Sequence, residues 1–174
     1  MRAPLALGEP APPFSLPAAD GAVRTLGSFE EPLLLVVFTS TVCPVAVAYE
    51  GRLAHLARAH AGRLAIAAID PRLGDEEPAA RRAAVLAKEL PFPYLWDDTQ
   101  AVARAYGAAC TPDPFLFDAG RRLVYAGRID DAWKDETKVA RRDLAAAIEA
   151  ALAGRPIDLD VRPATGCAIR WRDG

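Results

Sequence analysis

Cys43 is the residue of this sequence best placed to do covalent chemistry. It follows an unbroken apolar run over residues 33–38 and a short polar break at residues 39–41, and Pro44 comes directly after it. The apolar, β-branched run predicts a strand that is buried on both faces. Pro44 predicts the first position of a helix, where the N–H that proline lacks would have had no partner. We therefore expect Cys43 at the N-cap of a helix.

This expected position favours a reactive thiol at Cys43. The unpaired backbone N–H groups and the dipole at a helix N-terminus stabilise a negative charge. A thiol there should lose its proton more readily than a free thiol, and the thiolate is the nucleophile. The alternative is that Cys43 is a small packed residue that only caps the helix.

The apolar periodicity predicts a chain of alternating strands and helices in the order β-α-β-α-β-α-β-β-α. A strand, a crossover helix and a second strand form a parallel unit, so we predict an α/β fold with a central mixed sheet flanked by helices. In the first helix, Tyr49, Leu53, Leu56 and His60 should form one apolar stripe. The predicted helices are 43–60, 76–90, one begun by Asp98 or Thr99 and ending at Tyr106, and 137–153; the predicted strands are 64–70, 94–97 and the hairpin 115–117 with 123–125.

The length of 174 residues predicts one domain. We place that domain at residues 1–154, with residues 1–30 as an N-terminal extension of two short edge strands or a hairpin. Residues 155–174 form a tail without regular periodicity. The tail carries Cys167, Ile169 and Trp171, and we expect it to pack back on the domain.

Composition argues against several functional classes. Hydrophobic residues make up 52% of the chain and charged residues 25%, with a net charge of −2, so a nucleic-acid partner is not expected. Residues 1–16 lack the continuous apolar core of a signal peptide or membrane span. We therefore expect a cytoplasmic protein, where thiols are kept reduced and three cysteines indicate catalysis or sensing. His55 and His60 diverge on their helix, and neither a metal site nor a cofactor is predicted.

Several segments carry a family resemblance. They are residues 8–16 (GEPAPPFSL), Cys43-Pro44 with residues 48–53, residues 97–107 with Thr111-Pro112, residues 127–131, and residues 166–171 (GCAIRW). Through them the chain resembles the thioredoxin-like redoxins, in the branch of the alkyl hydroperoxide reductase/thiol-specific antioxidant proteins. The resemblance implies a thioredoxin-like fold and thiol redox chemistry. It also implies that the Thr111–Pro112 bond is cis and lies against Cys43.

The sequence departs from that family at two positions. Thioredoxins carry a second cysteine three residues after the first, where this chain has Ala46. Typical peroxiredoxins carry proline seven residues, and threonine or serine three residues, before the reactive cysteine. Ser40 matches the second of these positions, but Val36 stands at the first. Peroxide and disulfide therefore both stay open as the substrate.

A reactive Cys43 needs a resolving thiol to complete a redox cycle, and this thiol can come from this chain, another chain or a small molecule. Cys167 is the first candidate, because a flexible tail could reach the active site and Gly166 would ease the bend. Alternatively, Cys167 is an apolar anchor for the tail. Cys110 is the second candidate, with packing into the core as its alternative.

Pro44, Thr111 and Pro112 are candidates for binding the substrate beside Cys43. Three further polar side chains are also candidates. Ser40 and Thr41 could donate hydrogen bonds to the thiolate or to a peroxide oxygen, or act only as turn residues. Arg128 could supply a positive charge, held by Asp130 and Asp131, or be a solvated arginine at a strand end.

Three functional hypotheses follow. The first is a thiol-dependent oxidoreductase in which Cys43 attacks a hydroperoxide or a protein disulfide and Cys167 resolves it, with a thioredoxin-type or small-thiol reductant. The second is a one-cysteine enzyme that relies on external thiols. The third is a redox-inert module that binds a partner through the Thr111-Pro112 loop. We expect a monomer or homodimer without membrane contact.

Overall fold

The computed structural model describes residues 5–71 and 74–172. Its strands are β1 (Ser15–Pro17), β2 (Val23–Thr25), β3 (Leu33–Phe38), β4 (Leu64–Asp70), β5 (Tyr94–Trp96), β6 (Cys110–Thr111), β7 (Asp113–Phe117), β8 (Leu123–Ala126) and β9 (Cys167–Ala168). Its α-helices are α1 (Pro44–Ala59), α2 (Pro78–Leu86), α3 (Ala101–Tyr106) and α4 (Asp143–Leu152).

The central sheet confirms the predicted mixed α/β architecture. Its strand order is β5-β4-β3-β7-β8, with β3 parallel to β4 and antiparallel to β7. The strands β1 and β2 pair as an antiparallel hairpin, which is one of the two arrangements predicted for the N-terminal extension. Because β3 is the middle strand, the segment that follows it begins at the centre of the sheet, at the carboxyl end of β3.

Strand β3 is buried along its whole length, as its unbroken apolar sequence predicts. On one face Leu35 and Val37 pack with residues of α1 and α4, and on the other face Leu34, Val36 and Phe38 pack with residues of α3 and β7. This two-sided core holds the end of β3, and hence the start of α1, in a fixed position.

Helix α1 matches the prediction most closely. Cys43 is its N-cap and Pro44 lies in its first turn. The stripe residues Tyr49, Leu53 and Leu56 are buried, whereas His60 is the C-cap and lies outside the core.

The other helices depart from the predicted bounds. Helix α2 begins at Pro78 rather than at residue 76, because the fixed φ of proline suits the first helical position and Glu77 caps the turn. Helix α3 is preceded by Gln100 in a left-handed conformation (φ 60°), not by an Asp98 or Thr99 cap.

The predicted helix 137–153 is divided. A short 3-10 helix spans Glu136–Lys138, and α4 begins only at Asp143. Between them, the Asp131 carboxylate accepts hydrogen bonds from the N–H groups of Ala140 and Arg141. These bonds hold residues 139–142 in a non-helical path that the local sequence does not reveal.

The tail lies along the domain. Ile157 and Leu159 pack on the core, and Ile169 is buried. The short strand β9 pairs antiparallel with β6. Within the described ranges, no helix has the length and apolar character needed to cross a membrane.

Candidate active site

Cys43 lies at the point where β3 has ended and α1 begins. Its side chain is 1% exposed, and its Sγ accepts a hydrogen bond from the N–H of Ala46 at 3.5 Å. This contact and the dipole of the 16-residue helix α1 favour a negative charge on the sulfur. Cys43 is the N-cap of α1, which confirms the predicted position.

The loop before β7 lies against this sulfur. The Thr111–Pro112 bond is cis, as the family resemblance implied. The carbonyl oxygen of Thr111 lies 3.0 Å from Cys43 Sγ. Once Cys43 is reduced, a protonated thiol in this position can donate to this oxygen, whereas a thiolate is repelled by it. The helix N-terminus and the loop carbonyl thus act in opposite directions on the thiol proton.

Cys167 reaches Cys43 from the tail. The two residues, 124 positions apart, form a disulfide with a Cα–Cα distance of 6.0 Å, within the usual range for such a bond. Cys43 is buried beneath the tail, but Cys167 is only half-buried. An external thiol therefore has easier access to the sulfur of Cys167.

Gly166 allows this approach of the tail. Cys167 pairs with Thr111 in the register of β9 and β6. A Cβ atom on Gly166 would overlap the carbonyl group of Thr111 and lie 2.9 Å from the nitrogen of Pro112. Only a residue without a side chain fits here, which is a steric requirement rather than the bend that the sequence suggested.

The other predicted substrate-binding residues make contacts of their own. Ser40 Oγ accepts from the N–H of Val42 at 3.3 Å, and Thr41 Oγ1 donates to Glu76 at 3.5 Å. Pro44 lies in the first turn of α1, beside Cys43.

Arg128 is held differently from the prediction. Its Nε donates to the carboxylate of Asp143 on α4. This hydrogen bond, with a smaller effect from the negative charges of Asp143 and Asp131, raises the pKa of Arg128. Asp131 therefore supports Arg128 by its charge, and the direct partner is Asp143. Asp130 is buried and instead pairs with Arg52 at 2.5 Å, while it also accepts from the hydroxyl of Tyr49 at 2.8 Å. The side chain of Arg52 is 9% exposed and that of Arg128 is 19% exposed, so solvent screens the attraction between Arg52 and Asp130 less.

Cys110 is a free, half-buried cysteine, and its Sγ lies 3.6 Å from the carbonyl oxygen of Pro112. Burial, together with the negative charge of Asp113, raises the pKa of the Cys110 thiol to about 12. This thiol stays protonated near neutral pH and is therefore a poor nucleophile.

Asp113, the first residue of β7, is a polar residue near the site that the sequence analysis missed. It follows Pro112 inside a buried strand, and its carboxylate accepts from the N–H of Ala109 at 2.9 Å. Burial raises the pKa of Asp113 to about 6, although this hydrogen bond and one from the N–H of Cys110 oppose the shift. The sequence signal that could have identified Asp113 is a charged residue just before an apolar run that predicts a buried strand.

The raised pKa of Asp113 predicts a pH-dependent stability. Between its ordinary value of 3.8 and about 6, folded Asp113 binds a proton that the unfolded chain releases. Its contribution should therefore lower the free energy of unfolding as pH rises from about 4 to about 6. In Asp113→Asn this decrease should be absent. Urea unfolding of both proteins from pH 4 to pH 7 tests this expectation, and identical pH profiles would contradict it.

A cleft of about 550 Å³ opens beside the two bonded cysteines. It is lined by Val42, Cys43, Gly74, Asp75, Glu76, Cys167, Ala168 and Arg170. Both cysteines of the disulfide thus contribute to the wall of this cleft. In the part of the chain that the structure describes, no group of three or more His, Cys, Asp or Glu residues is arranged to hold a metal ion.

Two solved structures resemble this chain over nearly its whole length. A hypothetical protein from Sinorhizobium meliloti 1021 has 44% identity and a TM-score of 0.88, with 98% of this chain and 97% of that one covered. An uncharacterized conserved protein from Geobacillus kaustophilus has 32% identity and a TM-score of 0.87, with coverages of 97% and 94%.

A more distant structure confirms the thioredoxin-like fold alone. The pneumococcal exposed lipoprotein thioredoxin from Streptococcus pneumoniae TIGR4 has 16% identity and a TM-score of 0.64, with 79% of this chain and 99% of that one covered. No curated protein matches the sequence.

The family assignment rests on the sequence and agrees with the fold. The model of the AhpC/TSA family matches residues 7–126, and the structure has the thioredoxin-like fold that the resemblance implied. This chain therefore belongs to the AhpC/TSA family.

Proposed function

We propose that this protein is a two-cysteine thiol oxidoreductase in which Cys43 is the nucleophile and Cys167 is the resolving thiol. The observation that carries the proposal is the disulfide between a cysteine at a helix N-terminus and a cysteine of the tail. Membership of the AhpC/TSA family supports thiol redox function in general.

A hydroperoxide is the first candidate oxidant. The Cys43 thiolate attacks the terminal oxygen, the O–O bond breaks, and an alcohol leaves after it gains a proton. Cys43 is then a sulfenic acid. The Cys167 thiol attacks its sulfur, and the S–S bond forms as water leaves. The cleft supports this order, since a small oxidant can enter while the tail stays in place.

The reductive half of the cycle begins at Cys167. A thiolate of a thioredoxin-type or small-thiol reductant attacks the more accessible Cys167 sulfur, and Cys43 leaves as a thiolate stabilised by the helix N-terminus. A second thiol of the reductant then releases Cys167. Both cysteines return to the reduced state, and the reductant becomes a disulfide.

Thiol–disulfide exchange with a protein is the second candidate. Val36 replaces the proline expected of a typical peroxiredoxin, and Arg128 is paired with Asp143. Both observations argue against a site in which these two positions bind and polarise a peroxide. The oxidant would then be a protein disulfide that Cys43 attacks after the tail has moved aside.

Steady-state turnover separates the two candidates. The reduced protein is supplied with a thioredoxin-type reductant and either hydrogen peroxide or a disulfide-bonded test protein. We expect turnover with peroxide that depends on both Cys43 and Cys167. Turnover only with the protein disulfide would select the second candidate. No turnover with either oxidant, together with ordinary thiol reactivity at Cys43, would support the redox-inert module and contradict the proposal.

A further inference from the structure

We propose that Gln100 is the positioning residue that keeps Cys167 beside Cys43 when the two thiols are reduced. The role assigned to Gln100 rests on the proposed two-cysteine cycle. In that cycle the rate and equilibrium of disulfide formation depend on how closely the reduced tail is held.

The pairing of β9 with β6 is too short to hold the tail by itself. It comprises Cys110 with Ala168 and Thr111 with Cys167. One further backbone bond runs from the N–H of Ile169 to the carbonyl of Ala109 at 3.1 Å. Two-residue strands form few hydrogen bonds, so other contacts must keep the reduced tail docked.

Gln100 supplies such contacts from a fully buried position. Its Nε2 donates to the carbonyl of Arg170 at 2.9 Å, and its Oε1 accepts from the N–H of Arg172 at 2.7 Å. The amide therefore binds the tail on both sides of Trp171. These positions are three and five residues beyond Cys167.

The rest of the structure holds the Gln100 amide in place. Its Nε2 also donates to the carbonyl of Pro71, directly after β4, at 2.9 Å. The backbone of Gln100 is in the left-handed region immediately before α3. The amide is thus anchored to the sheet independently of the disulfide.

Among the described residues, other polar contacts of the tail with α3 and with the loop after β4 are more exposed than the Gln100 amide. Arg104 stacks on the ring of Trp171 with its guanidinium carbon 4.6 Å from the centroid. Arg172 pairs with Asp75 at 3.0 Å, where the Asp75 side chain is almost fully exposed. Exposed ion pairs contribute little, whereas hydrogen bonds at a buried amide contribute more.

The equilibrium with glutathione measures this positioning. One glutathione disulfide oxidises the protein: the Cys43–Cys167 bond forms, the glutathione S–S bond breaks, and two glutathione thiols carry the two protons. The equilibrium constant is an effective concentration of one protein thiol at the other. This equilibrium constant stays the same if Gln100 stabilises the oxidised and the reduced protein equally. It falls if the loss of Gln100 releases the tail of the reduced protein.

The main test variant is Gln100→Gly, since glycine accepts the left-handed backbone and removes the whole side chain with its amide. We expect its effective concentration to fall about tenfold or more. In the reduced variant, the Ile169 amide should also lose its protection from hydrogen exchange. Thr99→Ala is the matched control, because the hydrogen bonds of Thr99 stay within the same turn. It should behave like the wild type.

Gln100→Asn is the second variant, should Gln100→Gly not fold, because asparagine tolerates the left-handed region and its amide is one methylene shorter. Equal effective concentrations in the wild type and the folded variant would overturn the role of Gln100 alone. A wild-type protein that forms no Cys43–Cys167 disulfide at any glutathione ratio would instead overturn the proposed function. Rapid exchange of the Ile169 amide in the reduced wild type would also overturn the role of Gln100.

Discussion

Replacing Cys43 with serine should lower turnover by a factor on the order of a thousand or more. A serine hydroxyl at the same N-cap is not ionised near neutral pH, so the helix N-terminus has no anion to stabilise. Neither a hydroperoxide nor a disulfide would then meet a nucleophile. The measurement is steady-state turnover with each oxidant and a thioredoxin-type reductant.

The other two cysteines provide the controls. Cys167→Ser should react with one equivalent of oxidant and then stop, unless a small thiol such as glutathione resolves Cys43. Cys110→Ala should turn over like the wild type, because burial keeps the Cys110 thiol protonated. Full turnover by Cys43→Ser would remove Cys43 from the mechanism. Full turnover by Cys167→Ser without an added small thiol would support the one-cysteine reading.

Gly166→Ala should displace the tail from the active site. The new methyl group would overlap the Thr111 carbonyl, and Thr111 is itself buried against Cys43. Because the loop has no room to move away, we expect the effective concentration of Cys167 at Cys43 to fall by about tenfold to a hundredfold. The glutathione equilibrium measures this change.

Thr165→Ala is the matched control for Gly166→Ala. Thr165 is exposed and immediately precedes Gly166, so its substitution should leave the equilibrium unchanged. An unchanged equilibrium in Gly166→Ala would mean that the tail can dock along another path. The close contact between Gly166 and Thr111 would then not be required for the disulfide.

The features that were predictable from sequence depend on local patterns. The apolar run of β3 and the Cys43-Pro44 pair define a buried strand and a helix start, since both depend on neighbouring residues. The cis bond at Thr111–Pro112 came from the family resemblance rather than from any local pattern.

The features that were missed depend on tertiary contacts. The late start of α4 follows from backbone hydrogen bonds to Asp131, nine and ten residues away. The partner of Arg128 is Asp143, fifteen residues away on α4. The contacts of Gln100 with the tail join residues 70 and 72 positions apart. The two-residue strand β9 is too short to produce a periodic signal.

The most direct test of the redox couple is to map the products of a single oxidation. Reduced wild-type protein receives less than one equivalent of hydrogen peroxide, is quenched at intervals, and is analysed by mass spectrometry of its peptides. We expect rapid formation of a Cys43–Cys167 disulfide, with Cys110 unmodified. Slow oxidation of all three thiols without preference would contradict a peroxide-driven Cys43–Cys167 couple.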